Sequence, residues 1–277
     1  MTGTKRRVLP SQVAIWIALT AVTGLVFLPL VWALKAVFTP TGEIFSTGLL
    51  AAPSHFTLDN LTRGLSSAPF GVYFRNSFEL AIAVTIAIVI TSTLAGYGFA
   101  KFTFRGNSFL FTLVIMAMLM PFQAILIPLF VEVTRFGWID SMKGLILPGS
   151  VSAFGIFMMR QFMGSLPKEL IEAALIDGCS PLRVFLRVVL PMAKSSIAAL
   201  GSLAFLASWN NYLWPLVVVQ SESNMTIPLG LSQFRGANAT DYGAVFAVSL
   251  VAAIPVLVLF IVMSRQIVSS FATSGIK

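Results

Sequence analysis

"ELIEAALIDGCSPLRVFLRVVLP", Glu169 to Pro191, carries charges of both signs, an alanine pair, a glycine and two prolines. Its surroundings are apolar: 57% of the 277 residues are hydrophobic and only 10% charged, against roughly 25% charged in an average soluble domain. The punctuation predicts two short helices. Pro167 lies in a first turn after Ser165, "KELIEAALI" is built of good helix formers, and Gly178 offers a left-handed stop. Ser180 then acts as an N-cap with Pro181 at the first helical position. Leu182, Phe185 and Val189 are expected on one side of the second helix, Arg183 and Arg187 on another, and Pro191 closes it.

On either side of this island the chain reads as membrane spans. A bilayer core of roughly 30 Å needs about 20 apolar residues, and six stretches qualify: about 12–34, 77–99, 109–131, 145–163, 197–219 and 243–264. The first is not expected to be a cleaved signal peptide, because it has no small-residue cleavage site and continues through "FLPLVWALK". With the N-terminus cytoplasmic, twelve of the 18 Lys and Arg residues fall inside: Lys5, Arg6, Arg7, Lys101, Arg105, Arg160, Lys168, Arg183, Arg187, Lys194, Arg265 and Lys277. Lys35, Arg63, Arg75, Arg135, Lys143 and Arg235 fall outside, a bias that puts both termini in the cytoplasm. The net charge of +8 is spread over several short segments, so it is no nucleic-acid signal; topology alone accounts for it, as does a small basic patch against membrane lipid.

On this topology the island lies on the cytoplasmic side between spans four and five. A helix, a glycine corner and a helix also describe a DNA-reading motif, but spans begin within a few residues on each side and bar the pair from a major groove. Two readings stay open, a docking element for a cytoplasmic partner and a solvated connection. Ala173, Ala174 and Gly178 would let a partner approach closely, while Glu172 and Asp177 supply directional polar contacts.

Much chemistry is excluded. One cysteine, Cys179, and one histidine, His55, build neither a disulfide framework nor a His/Cys metal site, and a Ser-His-Asp triad would have to use His55 far from any good nucleophile. No phosphate-binding loop of the G-x-x-x-x-G-K-[ST] type occurs; "MAKSS" lacks the preceding glycine. The chain is therefore not expected to be an enzyme or to hydrolyse ATP. Polar groups inside a span tend to face a bundle interior or a water cavity, which singles out Gln123, Asn210 and Asn211, either lining a path or bonding helix to helix. Trp209, Tyr212 and Trp214 read either as stacking platforms for sugar or as interface anchors. Glu79 reads as a boundary residue or a proton relay. Pro121 and Pro128 bracket Gln123 and are expected to break or kink span three, for gating or for packing.

"EAALIDGCSPLRVFLRVVLP" resembles the EAA motif of the membrane subunits of bacterial ABC importers. The family's EAA, its glycine four residues later and its hydrophobic-x-Leu-Pro ending fall on Glu172, Ala173, Ala174, Gly178, Val188, Leu190 and Pro191, with the frequent acidic residue at Asp177. Cys179 stands where the family usually has a small residue such as Ala. "SWNNYLWPLVV" (Ser208 to Val218), "TIPLGLSQFRG" (Thr226 to Gly236) and the tail "SSFATSGIK" resemble the MalG-like carbohydrate branch. The resemblance implies an all-α membrane protein, one transmembrane domain over 1–277, with six spans and a coupling-helix pair within 165–191. It also implies a MalF-like partner permease, two cytoplasmic ATPase subunits that hold ATP and Mg, and an extracytoplasmic sugar-binding protein. In such importers the helix pair sits in a cleft of the ATPase and carries its closure to the spans. The tail with Ser274, Gly275 and Lys277 can reach between the ATPases, and the outer loop Gln220 to Tyr242 is where the binding protein is contacted. An importer of the same kind for another solute, and an ion-coupled carrier working alone, are the alternatives; the second is weakened by the lack of a charged residue near mid-membrane.

Overall fold

In lipid a backbone has only itself to bond with, and apolar runs of spanning length fold as helices for that reason. The computed structural model describes residues 10–48, 51–234 and 240–274, and no strand occurs among the described residues. In chain order the helices are α1 (Pro10–Val37), α2 (Asp59–Ser66), α3 (Phe70–Lys101), α4 (Asn107–Leu119), α5 (Phe122–Arg135), α6 (Met142–Ile146) and α7 (Ala153–Ser165). Then come α8 (Lys168–Ile176), α9 (Pro181–Val184), a π-helical turn (Phe185–Val189), α10 (Leu190–Met192), α11 (Lys194–Trp209), α12 (Leu213–Val218), α13 (Ile227–Leu231) and α14 (Tyr242–Ser274). Lys5, Arg6, Arg7, Arg235, Gly275 and Lys277, used above for topology and tail, lie outside the described residues.

Three helices are long and apolar enough to cross a membrane alone: α1 from Gln12, α3, and α14 as far as Ser264. Three bent pairs add up to three more crossings: α4 with α5 at 101°, Met142–Gly149 with α7 at 40°, and Pro181–Met192 with α11 at 75°. Three of the expected spans therefore change; the run at 145–163 is interrupted at Ser150–Ser152, between the turn that ends at Gly149 and the start of α7. The run at 109–131 is two helices meeting at Met120–Pro121, both extended; Pro121 has no N–H to continue α4 and forces its predecessor out of the helical region. Pro128, by contrast, sits inside α5 without ending it. The run at 197–219 stops at Trp209 and restarts at Leu213, because the two asparagines between bond locally: Asn210 Nδ2 donates to the Leu206 carbonyl and Asn211 Oδ1 accepts from the Trp214 N–H.

The chain divides into two compact units: one holds the described residues up to Pro69 and those of Gln233–Ala252, the other Phe70–Ser232 and the described residues after Ala252. In the first, Asn60 is buried and donates to the carbonyls of Ala36, Val37 and Thr39 at 3.2, 3.1 and 2.7 Å, satisfying the end of α1. Its Oδ1 accepts from Thr41 and Arg63, and Gly243 packs directly on the same side chain.

In the second unit α3, α7 and α11 pack through small residues. Gly96 of α3 lies against α7 so closely that a Cβ there would stand 2.6 Å from Met159 Cβ and 2.8 Å from the Arg160 nitrogen. Gly155 lets α7 onto Ser92 in the same way. Such approach is what joins helices in lipid, where burial of apolar surface offers no preference between helix and bilayer. One core cluster gathers Tyr97, Met159, Met163, Val184, Phe185, Val189 and Leu200; a second gathers Leu80, Val84, Val133, Leu145, Trp214 and Val218.

Candidate functional site

Glu169–Pro191 folds as two helices around one glycine. α8 ends in a Schellman motif: the Gly178 N–H donates to Leu175 O and the Cys179 N–H to Ala174 O, both at 3.0 Å, with Gly178 at φ 81°. Ser180 caps the next helix, accepting from the Arg183 N–H at 3.4 Å, with Pro181 in the first turn. The pair is anchored on one face only. Ala174, Cys179, Val188 and Leu190 pack against the cluster that holds Val184, Phe185 and Val189, and α8 buries no residue fully. Glu172, Ala173, Asp177, Gly178 and Pro191 are exposed. So are Leu170, Leu175, Ile176 and Leu182, with Ile176 at 85%. The spacing predicts Leu182 beside Phe185 and Val189, and Val184 takes that place. The π turn over Phe185–Val189 widens the helix and shifts the register of its buried face, in step with the N–H that Pro191 lacks.

Lys101, the last residue of α3, donates from Nζ to Leu166 O at 2.9 Å, where α7 ends. The helix pair thus starts from a point pinned to α3, with a cation on a helix C-terminus.

The two helix breaks lie against each other. Phe122, at the start of α5, meets Trp214 of α12 edge to face at 6.1 Å, and Trp214 Nε1 donates to Gly144 O at 3.0 Å. Gln123 and Asn210 are exposed, as is Tyr212 at 39%. Trp209 differs from expectation: it is 3% exposed, stacked on Phe205 at 5.6 Å and edge-on to Phe78 at 4.8 Å, so its ring faces aromatic neighbours. Asn211 uses its side-chain oxygen on the Trp214 N–H at the start of α12 and so holds the break.

A third constellation leaves no mark in the sequence. Asp140 stands at φ 54°, the one non-glycine residue with positive φ among those described, and its carboxylate accepts the backbone N–H groups of Gln220 and Ser221, each at 3.0 Å. Asn224 Nδ2 donates to its carbonyl at 2.7 Å, and its own N–H donates to Val218 O at 2.9 Å. From α3, Tyr73 donates to Glu222, Asn76 donates to the carbonyls of Ser223 and Met225, and Ser77 accepts from the Ile227 N–H. The Ser221 and Gln220 donors, Ser221 foremost, hold the Asp140 pKa down at about 2. A lowered carboxylate pKa contributes stability that is complete above the unfolded value of 3.8 and disappears as the pH falls through about 2. Hydrogen-exchange protection of the Gln220 and Ser221 amides is therefore expected to be level from about pH 7 to 5 and to fall between about pH 4 and 2. Protection persisting at the acid end would contradict this.

The model of the family described as binding-protein-dependent transport system inner membrane component matches residues 88–268. The chain belongs to this family. The permease is 34% identical over 252 residues, 90% of each chain, to the arabinooligosaccharides transport system permease protein AraQ of Halalkalibacterium halodurans. It is 32% identical over 274 residues, 99% of each chain, to the lactose transport system permease protein LacG of Rhizobium radiobacter. With the sn-glycerol-3-phosphate transport system permease protein UgpE of Pectobacterium atrosepticum it shares 33% over 257 residues, 90% of this chain and 92% of that one. Its fold matches a chain in the crystal structure of a bacterial ABC transporter involved in the import of the acidic polysaccharide alginate, with a TM-score of 0.82 over 94% of the permease and 99% of that chain, at 19% identity. The resemblance carried by Glu172 to Pro191 thus agrees with the family matched over residues 88–268. The permease is a multi-pass component of an inner membrane, in a family of transport subunits and not of enzymes.

Proposed function

We propose that the permease is one of two unlike transmembrane halves of an ATP-driven importer that takes up an oligosaccharide or similar sugar from an extracytoplasmic binding protein. Residues 1–277 form its single transmembrane domain of six spans, with both termini in the cytoplasm. A MalF-like permease completes the path, and two cytoplasmic ATPase subunits hold the ATP and Mg. The observation that carries the reading is the helix pair around Gly178, anchored by one face and offering Glu172, Ala173, Asp177 and a set of bare leucine and isoleucine side chains on the other. An apolar face with a polar rim suits a protein partner, and a stiff pair held by Lys101 and the α7 core transmits that partner's motion. Glu172, Ala173, Ala174, Asp177, Gly178, Val188, Leu190 and Pro191 are assigned to this coupling. Gln123, Asn210 and Tyr212, exposed at two helix breaks in contact, are assigned to the path; broken helices near the midplane are where transporters place solute. Asn211 holds that break.

The relation to a glycerol-3-phosphate permease favours a second reading, a phosphorylated or otherwise non-sugar solute for the same machine. A tagged chain drawn from its own membranes in mild detergent is expected to bring a second permease and a doubled ATPase, measured by native mass. Uptake of labelled arabino-oligosaccharides, lactose and sn-glycerol-3-phosphate by cells with and without the chain then separates the two readings. A lone chain or a homodimer, reproduced under gentle conditions, would remove the importer assignment.

A further inference from the structure

α4 buries one residue, Phe111, whose ring lies 5.6 Å from Phe99 of α3 and 6.3 Å from Phe157 of α7. A charge rests on that ring. Arg160 of α7 places its guanidinium carbon 3.7 Å from the centre of Phe111. Such a contact uses the face of the guanidinium and takes none of the five N–H donors along its edge. Those donors find no partner in the chain: Arg160 makes no hydrogen bond or ion pair with any described residue, and its Nε is buried without an acceptor. A cation withdrawn from water and left unpaired is costly, so an acceptor from outside the chain is called for.

Depth and surroundings narrow its chemistry. Phe111 is four residues into α4 and Arg160 five from the end of α7, which puts the guanidinium about 6–8 Å inside both helix ends. There hydrocarbon gives way to headgroups. On the same two helices Leu110, Leu113 and Phe154 are exposed, so whatever brings an oxyanion also meets apolar surface. We infer that Arg160, seated on Phe111, binds the phosphate of an anionic phospholipid where α4 meets α7. Guanidinium and phosphate match as a two-pronged pair, and the acyl chains cover the bare side chains as a free phosphate would not. With both termini in the cytoplasm this edge lies in the cytoplasmic leaflet, the one that carries an anionic surface. The bound lipid then holds α4 against α7, the helix that leads through Leu166 into the coupling pair.

The test melts the full chain, with the subunits it brings from its own membranes, after lipid removal in mild detergent. Phosphatidylglycerol, phosphatidylcholine or sodium phosphate is added back. Phosphatidylglycerol is expected to raise the melting temperature about 4 °C above phosphatidylcholine. Arg160→Met should lose most of that difference and Arg160→Lys about half, since lysine keeps the charge without the fork. Arg183→Gln removes an equal charge from an exposed site and should lose none. No difference between the lipids in the wild type, or an equal loss in Arg183→Gln, overturns the inference. Equal stabilisation by sodium phosphate alone also overturns it and marks a free-anion site. So does indifference to lipid joined to loss of a co-purifying subunit in Arg160→Met, which marks an ion pair with a protein partner. If Arg160→Met does not accumulate, Phe111→Leu removes the seat and keeps the charge; it should lose about half of the difference, and full retention overturns the inference. A chain that brings no partner subunits removes the importer reading and leaves this test intact.

Discussion

Replacing Gly178 by proline is expected to abolish solute uptake while the chain remains in the membrane. The glycine sits at φ 81° and donates its N–H to Leu175 O. Proline fixes φ near −65° and has no N–H, so it opposes both requirements. A penalty of about 3 kcal/mol on the bend lowers the fraction of correctly set helix pairs about a hundredfold, and uptake should fall with it. Space is not the issue, since a Cβ at this position meets nothing within 4 Å. Gly178→Ala thus measures backbone strain alone, about 1–2 kcal/mol or roughly tenfold, and Gly178→Asn should lie between alanine and wild type. Glu172→Lys tests the other half of the assignment: the side chain is exposed, so charge reversal should leave the fold intact and impair ATPase recruitment. Uptake in proteoliposomes, normalised to chain abundance, decides. Wild-type uptake by Gly178→Pro and Glu172→Lys at equal abundance would remove the coupling role.

Gly96→Leu is expected to deplete the chain from the membrane altogether. Met159 is fully buried and the Arg160 nitrogen belongs to α7, so the atoms that a new side chain would meet cannot yield without parting α3 from α7. Overpacking of this kind costs about 1–3 kcal/mol or more, a large share of a stability margin of roughly 5–15 kcal/mol. Two residues on, a Cβ at Gly98 would meet no atom within 4 Å, and Gly98→Leu should accumulate normally. The pair shares composition, helix and depth, which isolates packing from insertion. Melting of the detergent-solubilised protein, followed by loss of monodispersity, is the measurement; a Gly96→Leu chain that accumulates and melts like Gly98→Leu would refute the crossing.

Features that close within a few residues were legible in the chain alone. Apolar runs marked the helices, Gly178 the left-handed stop, and Ser180 with Pro181 the restart, because a Schellman motif and an N-cap need only their immediate neighbours. The family was legible in Glu172 to Pro191 for the same reason. Which apolar face packs and which stays bare was settled by tertiary packing. Leu182 and Val184 are both hydrophobic, yet one is 66% exposed and the other 1%, and hydropathy cannot separate them because an apolar residue on a bare face reads the same as one packed in the core. Packing also placed Trp209 in an aromatic cluster and set Asp140 to clamp amides 80 residues away. Hydrogen bonds at that separation leave no period or spacing in the chain; they exist because packing first brings the two loops together.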